Sequence, residues 1–300
     1  MEETLSPEAA ASLLQAISEG GGIEESVSTQ TLLALAEMAL DLNKMEICER
    51  LALSGHAKAS FDDDKQAMAW ALFLIARVKL SDTLLRIEEA RVEEQEIHID
   101  AGLLGAFQEA RNSAEDLNDV RLIGNIDQLE GIHHRAIGDV VGARDAFVRS
   151  LASKEETGDI LGTANSLHSL GEIAMDQEEF VDALAFFDRA AETYEMVDEM
   201  LECAHAMSLS SHALIQTNRL EEANERLENA LEIGRENDDA STQIVAHWGL
   251  ADLGHLTQDI ALELENLQAA VVLFIRLERP VPDALRTRLD EMIDSLESQE

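Results

Sequence analysis

Apolar residues between 161 and 200 recur at helical rather than alternating spacing. Leu167, Leu170, Gly171 and Ala174 form one set, and Phe180, Ala183, Phe187 and Ala190 the next. Residues three or four apart share one side of a helix, so the stretch predicts two consecutive helices joined by a short turn. The pattern then repeats every forty residues: Val140, Phe180, Leu220 and Ile260 form one column, and Ala143, Ala183, Ala223 and Glu263 a second. Phe147, Phe187, Leu227 and Leu267 form a third, and Ser150, Ala190, Ala230 and Ala270 a fourth. Leu103, Phe107 and Ala110 continue three of these columns one period upstream. Val, Ile and Thr nowhere alternate with polar residues, so no strand is predicted.

Outside the columns the reading is local. Ser6-Pro7-Glu8 predicts a helix to about residue 18, with Ser6 as N-cap and Pro7 in the first turn, ended by Glu19-Gly20-Gly21-Gly22. A hairpin begins near Thr29 and turns at Asn43, with Leu32, Leu35 and Ala39 before the turn and Met45, Cys48 and Leu51 after it. Residues 63–97 read either as one long helix or as two, the second capped by Ser81-Asp82. At the other end Arg279-Pro280-Val281-Pro282 stops the array. Asp283 is then placed to cap a last amphipathic helix with Leu285, Leu289, Met292 and Leu296 on one face.

The spacing Leu167-x2-Leu170-Gly171-x2-Ala174 followed by Phe180-x2-Ala183-x3-Phe187-x2-Ala190 resembles one unit of the tetratricopeptide repeat. The common unit has roughly 34 residues; this one has 40, like the longer variety found in scaffold and sensor proteins. Glu130, Ser210-Ser211 and Glu263 depart from the pattern's leucine, Leu-Gly and alanine. The resemblance implies an all-α fold, a right-handed superhelix (α-solenoid) of helical hairpins closed by a C-terminal capping helix. It divides the chain into an N-terminal helix and Gly-rich linker (1–28), degenerate repeats (29–98), well-formed repeats (99–279) and the capping helix (280–300). Close packing of each hairpin is expected to set Gly131 and Gly171 against Ala143 and Ala183, with Phe187 between one hairpin and the next.

Composition agrees and narrows the function. Hydrophobic residues make up 46% of the 300, enough for a continuous core, and no proline occurs between Pro7 and Pro280. The formal charge is −39, from 61 acidic against 22 basic residues, five of them lysine. Such a surface repels nucleic acid and anionic membranes, and fits a basic partner, a high-salt medium or simply a well-solvated exterior. The N-terminus lacks a signal peptide's basic start and apolar run, and no stretch is long enough to span a membrane, so a cytoplasmic protein is expected. Cys48 and Cys203 stand in apolar helical surroundings, far from metal-type spacing, as reduced buried thiols do.

In arrays of this family the first helix of each hairpin lines the partner-binding groove. With Leu167, Leu170, Gly171 and Ala174 turned to the core, the stripe left for the groove is Asn165, His168, Glu172 and Met175. Shifts of forty add Asn125, Gln128, Ile132 and Arg135, then His205, Ser208, His212 and Ile215, then Val245, Trp248, Asp252 and His255. This lining lacks the lysines of the carboxylate clamp with which some family members grip acidic tails, and Glu172 and Asp252 suit a positively charged peptide. Trp248 is either a hot-spot anchor or a packing residue. The four histidines are either ordinary groove residues or a metal- or pH-responsive set, and His133-His134 fall where the hairpin packs. Phosphate loops, nucleophile elbows and HExxH motifs are absent, and paired carboxylates are expected by chance among 61 acids. The expected function is a non-enzymatic scaffold or adaptor, without cofactor or metal, binding a peptide or helix of a basic protein partner. The alternative is a sensor whose array changes curvature around a small molecule or signalling peptide. Self-association through the array ends or the N-terminal helix is compatible with either.

Overall fold

A computed structural model describes residues 7–19, 27–92 and 101–297. The described residues form fourteen α-helices and no strand. They pack as two compact units, Met1–Thr157 and Gly158–Glu300.

The chain's rhythm is twenty residues as well as forty. Asn118, Gly138, Gly158, Glu178, Asp198, Asn218, Asp238, Gln258 and Glu278 all adopt left-handed backbone, with φ between 49° and 81°. One such residue ends each of nine consecutive helices, and the next amide usually bonds back five residues, as Glu179 N does to Ala174 O at 2.8 Å and Asp239 N to Gly234 O at 2.9 Å. This is the Schellman closure, which satisfies carbonyls left open at a helix end. The residue that closes one helix also opens the next. Asp119, Asp139, Asp159 and Asp259 each accept the amide three positions on at 3.0 Å, and Asp239 does so at 2.6 Å. Each cap stabilises its helix by about 1 kcal/mol. Within each unit, two-residue turns at this interval fold consecutive helices back on one another.

Unit 1 holds α1 (Pro7–Ser18), α2 (Thr29–Asp41), α3 (Met45–Phe61), α4 (Lys65–Val92), α5 (Ala101–Leu117), α6 (Val120–Ala136) and α7 (Val140–Thr157). Pro7 is the first helical residue; Ser6 and Gly20-Gly21-Gly22 lie outside the described residues. Leu32, Leu35, Ala39, Cys48 and Leu51 are buried, and Asn43 turns the α2–α3 hairpin with φ 55°. Of the two readings for 63–97, one helix is what forms over 65–92. Ser81 Oγ bonds its own helix at Arg77 O and Asp82 pairs with Arg86 a turn away, so neither caps a new helix. The 28 residues of α4, against 17 in α5, account for most of the phase slip between Asp63 and Asn118. Residues 93–98 lie outside the described region.

Unit 2 holds α8 (Ile160–Asp176), α9 (Phe180–Glu195), α10 (Met200–Gln216), α11 (Leu220–Glu236), α12 (Ala240–Thr257), α13 (Ile260–Arg276) and α14 (Asp283–Glu297). The glycine expectation needs correcting. A Cβ on Gly171 would lie 2.7 Å from the Phe187 ring, and one on Gly131 2.5 Å from Phe147, so each glycine makes room for its own hairpin's phenylalanine rather than for an alanine. Phe187 also packs on Ala213 and Leu214 of α10, filling the space to the following hairpin as expected. Its full burial contributes about 2–3 kcal/mol.

The three departures from the repeat pattern share one explanation. Glu130 takes both Arg111 of α5, at 2.8 Å, and Arg149 of α7, and the same two arginines hold Asp127, which is 2% exposed. Ser210 of α10 accepts Arg226 Nη1 of α11 at 2.8 Å, while that arginine also pairs with Asp188 of α9. Glu263, at the alanine column, meets Arg288 of α14. A planar guanidinium serves two acceptors at once, so one arginine ties two or three successive helices where an apolar contact is missing.

The last helix differs by one residue from its expected start. Pro282 O accepts the Arg286 amide at 3.1 Å, so Pro282 holds the cap position and Asp283 is the first helical residue. Leu285, Leu289 and Met292 pack on Ala251, Leu267 and Ala270, so α14 covers the end of the last hairpin. The Leu296 side chain lies outside the described set.

Candidate functional site

The stripe read from the sequence falls on α6 in unit 1 and on α8, α10 and α12 in unit 2. On α6 it is largely engaged within its own hairpin. Asn125 Oδ1 accepts Lys154 Nζ from α7, and Gln128 Oε1 lies 3.2 Å from Ser150 Oγ, which also reaches Gly124 O. Arg135 stands in the last turn of α6, where a cation complements the helix dipole.

The same arrangement returns forty residues later with different chemistry. Tyr194 OH of α9 donates to Asn165 Oδ1 of α8 at 2.7 Å. Burial, then Glu202, Glu172 and Glu199, push the phenol above its ordinary pKa, so it remains a donor. His168 packs edge-on against three rings, with centroids 5.6 Å from Phe187, 6.4 Å from Tyr194 and 5.3 Å from His205. Glu172 and Met175 follow on α8, both half-buried.

His205 joins this aromatic floor to an open cleft. Between the first halves of α10 and α12 a space of about 300 Å³ is lined by Leu201, Glu202, His205 and Ser208 on one side and by Ser241, Thr242 and Val245 on the other, with Asp239 at the α12 cap. His205 is exposed, and Ser208 turns its hydroxyl to Ala204 O. Two carboxylates and an imidazole over apolar walls make a site for a cationic or hydrogen-bond-donating chain.

The second half of the stripe is occupied by the chain itself. Asp252 pairs with Arg288 of α14, and Trp248 is half-buried against Ala251, Leu267, Ala270 and Leu285. His255 is largely exposed, with Nδ1 3.1 Å from Glu263 Oε1. His212 lies within reach of the Asp252 charge, and burial holds its pKa below the usual value against that attraction. Thus His205, Ser208 and Val245 line one cleft, with His168 of α8 against His205, while Trp248 and Asp252 are engaged by the capping helix.

Glu202, Thr242 and Tyr194 belong to the site but were not in the sequence stripe. The first two carry it one turn toward the helix starts, at 205−3 and 245−3. Tyr194 stands forty residues after Lys154 in the column that answers the asparagines.

Among the described residues no three of His, Cys, Asp or Glu are grouped to hold a metal ion, and His168 and His205 meet as a pair of rings. Cys48 and Cys203 are buried free thiols, and burial pushes the Cys48 pKa up to about 11, which keeps it protonated. No described helix is long and apolar enough to cross a membrane.

No family model matches the chain. No curated protein matches it by sequence. Solved structures share the fold. The apo form of RapI superposes with a TM-score of 0.72 at 12% identity, over 90% of this chain and 72% of that one. BtubC from P. vanneervenii gives 0.59 at 17%, over 86% and 95%. A signal transduction ATPase with numerous domains and a tetratricopeptide repeat sensor, from Pyrococcus horikoshii, gives 0.65 at 16% over 95% of this chain, which spans 41% of that protein. In fold the chain is a tetratricopeptide-like helical-repeat protein.

Proposed function

We propose that this protein is a non-enzymatic interaction scaffold that holds a basic peptide or helical segment of a protein partner in the α10–α12 cleft. The carrying observation is the cleft lined by Glu202, His205 and Asp239, with the Tyr194–Asn165 hydrogen bond on the neighbouring helices. Apolar walls from Leu201 and Val245 supply burial, and the carboxylates select a cationic side chain. The −39 net charge steers such a partner over distances up to the Debye length, about 10 Å at 0.1 M salt. The two buried reduced thiols fit a reducing, cytoplasmic setting.

Affinity capture at about 50 and about 300 mM salt, between which the Debye length shortens roughly twofold, tests the reading. A partner retained at low salt, released at high salt and lost with Glu202→Lys supports it. A partner indifferent to both contradicts it.

A further inference from the structure

Unit 2 carries a second cleft, of about 530 Å³, on different helices. It opens between α11 and α13 over α12, and its size is that of small-ligand pockets. Its polar floor is built rather than incidental. His247 is 7% exposed and Asn266 5%, and His247 Nδ1 lies 2.7 Å from Asn266 Oδ1. Asn266 Nδ2 donates to Leu262 O at 2.8 Å, which fixes the amide with its oxygen toward the imidazole. Nδ1 therefore carries the hydrogen, and Nε2 of the neutral ring is an acceptor. Among the described residues His247 makes no other hydrogen bond. Burial depresses its pKa against the opposing pull of the Asn266 bond and the Glu265 charge, with Arg235 acting in the same direction as burial, so the ring stays neutral near pH 7. Around this floor Glu228, Glu232 and Glu265 outnumber Arg235, with leucine walls between.

We propose that this cleft binds one protonated alkylamine or guanidinium group, His247 Nε2 accepting an N–H and the rim carboxylates balancing the charge. The leucines take the alkyl stem. Arg235, the one cation of the lining, opposes a second positive centre and so restricts the cleft to a single cationic head. The source is either a free amine or the lysine or arginine side chain of a partner. This site shares no residue with the α10–α12 cleft, so the two readings stand or fall separately.

Calorimetric titration of the full chain with n-butylguanidinium, and separately with a blocked Gly-Arg-Gly tripeptide, distinguishes the sources. One saturable site is expected, for n-butylguanidinium alone where the ligand is a free small cation and for both probes where it is a partner's side chain. Glu232→Gln with Glu265→Gln, both exposed, weakens it at least fivefold, and Arg235→Gln tightens it about threefold. His247→Gln weakens it while leaving thermal unfolding to report that the fold is kept. The proposal is overturned if neither probe saturates, or if several equal sites fill regardless of the rim variants, as an acidic surface gathering counterions does.

Discussion

Arg288 of the capping helix lies 2.7 Å from Glu263 of α13, at the position where the repeat pattern places alanine. The same guanidinium reaches Asp252 and the Ala251 carbonyl, so one side chain from α14 ties down the last hairpin and engages Asp252 of the predicted stripe. Glu263 is 7% exposed, so its charge depends on that arginine. Arg288→Ala is expected to cost on the order of 2–4 kcal/mol, since a buried carboxylate is left without its cation. Adding Glu263→Ala, which restores the repeat's alanine, recovers most of the loss. Denaturant unfolding of the single and double variants measures the coupling.

Two glycines separate packing from propensity. Gly171→Ala pushes a methyl to 2.7 Å from the Phe187 ring, and overpacking of that kind costs about 1–3 kcal/mol. Gly105, inside α5, has nothing within 4 Å of the same methyl. There alanine stabilises by about 0.5–1 kcal/mol through helix propensity alone. Opposite shifts in melting temperature are the expected result.

The turns offer a third case. Glu199 opens α10 without a side-chain cap bond, where Asp119, Asp159 and Asp239 all make one. Glu199→Asp is expected to add about 0.5–1 kcal/mol, and Asp119→Ala to remove about 1. Equilibrium unfolding of both variants checks the sign.

Three histidines give the pH response. Burial lowers the pKa of His133, His212 and His247 relative to the unfolded chain. His133 is the plainest, its Nδ1 buried without a partner beside the Phe107 ring, with His134 adding repulsion. Because the unfolded chain binds these protons more readily, the stability they contribute is full above about pH 6.5 and is lost as pH falls through the lowered folded values. The melting temperature of the native protein is expected to fall between pH 7.5 and 5, and His133→Phe to flatten that slope.

The fold was legible because its signals are local. The forty-residue columns carried the hairpins, and pairs such as Asn118-Asp119, Gly138-Asp139 and Asp238-Asp239 spell out the left-handed stop and aspartate cap of the finer twenty-residue rhythm. What stayed hidden depends on packing between distant residues. Ser81 and Asp82 read as a cap, yet inside α4 they turn to Arg77 and Arg86. Glu130, Ser210 and Glu263 looked like decay of the repeat, because their arginines lie 16 to 25 residues away on other helices. The stripe was set on the first helix of each hairpin by the forty-residue period. Its far half could not be separated from the near half without seeing where α14 docks, since Trp248 and Asp252 serve that contact.

The binding claim is tested most directly by hydrogen exchange on the captured complex. With the partner bound, residues 200–208 of α10 and 240–248 of α12 are expected to gain protection, and Glu202→Lys to abolish it. Protection confined to α14 or to unit 1, with those two segments exchanging as in the free protein, would contradict the account.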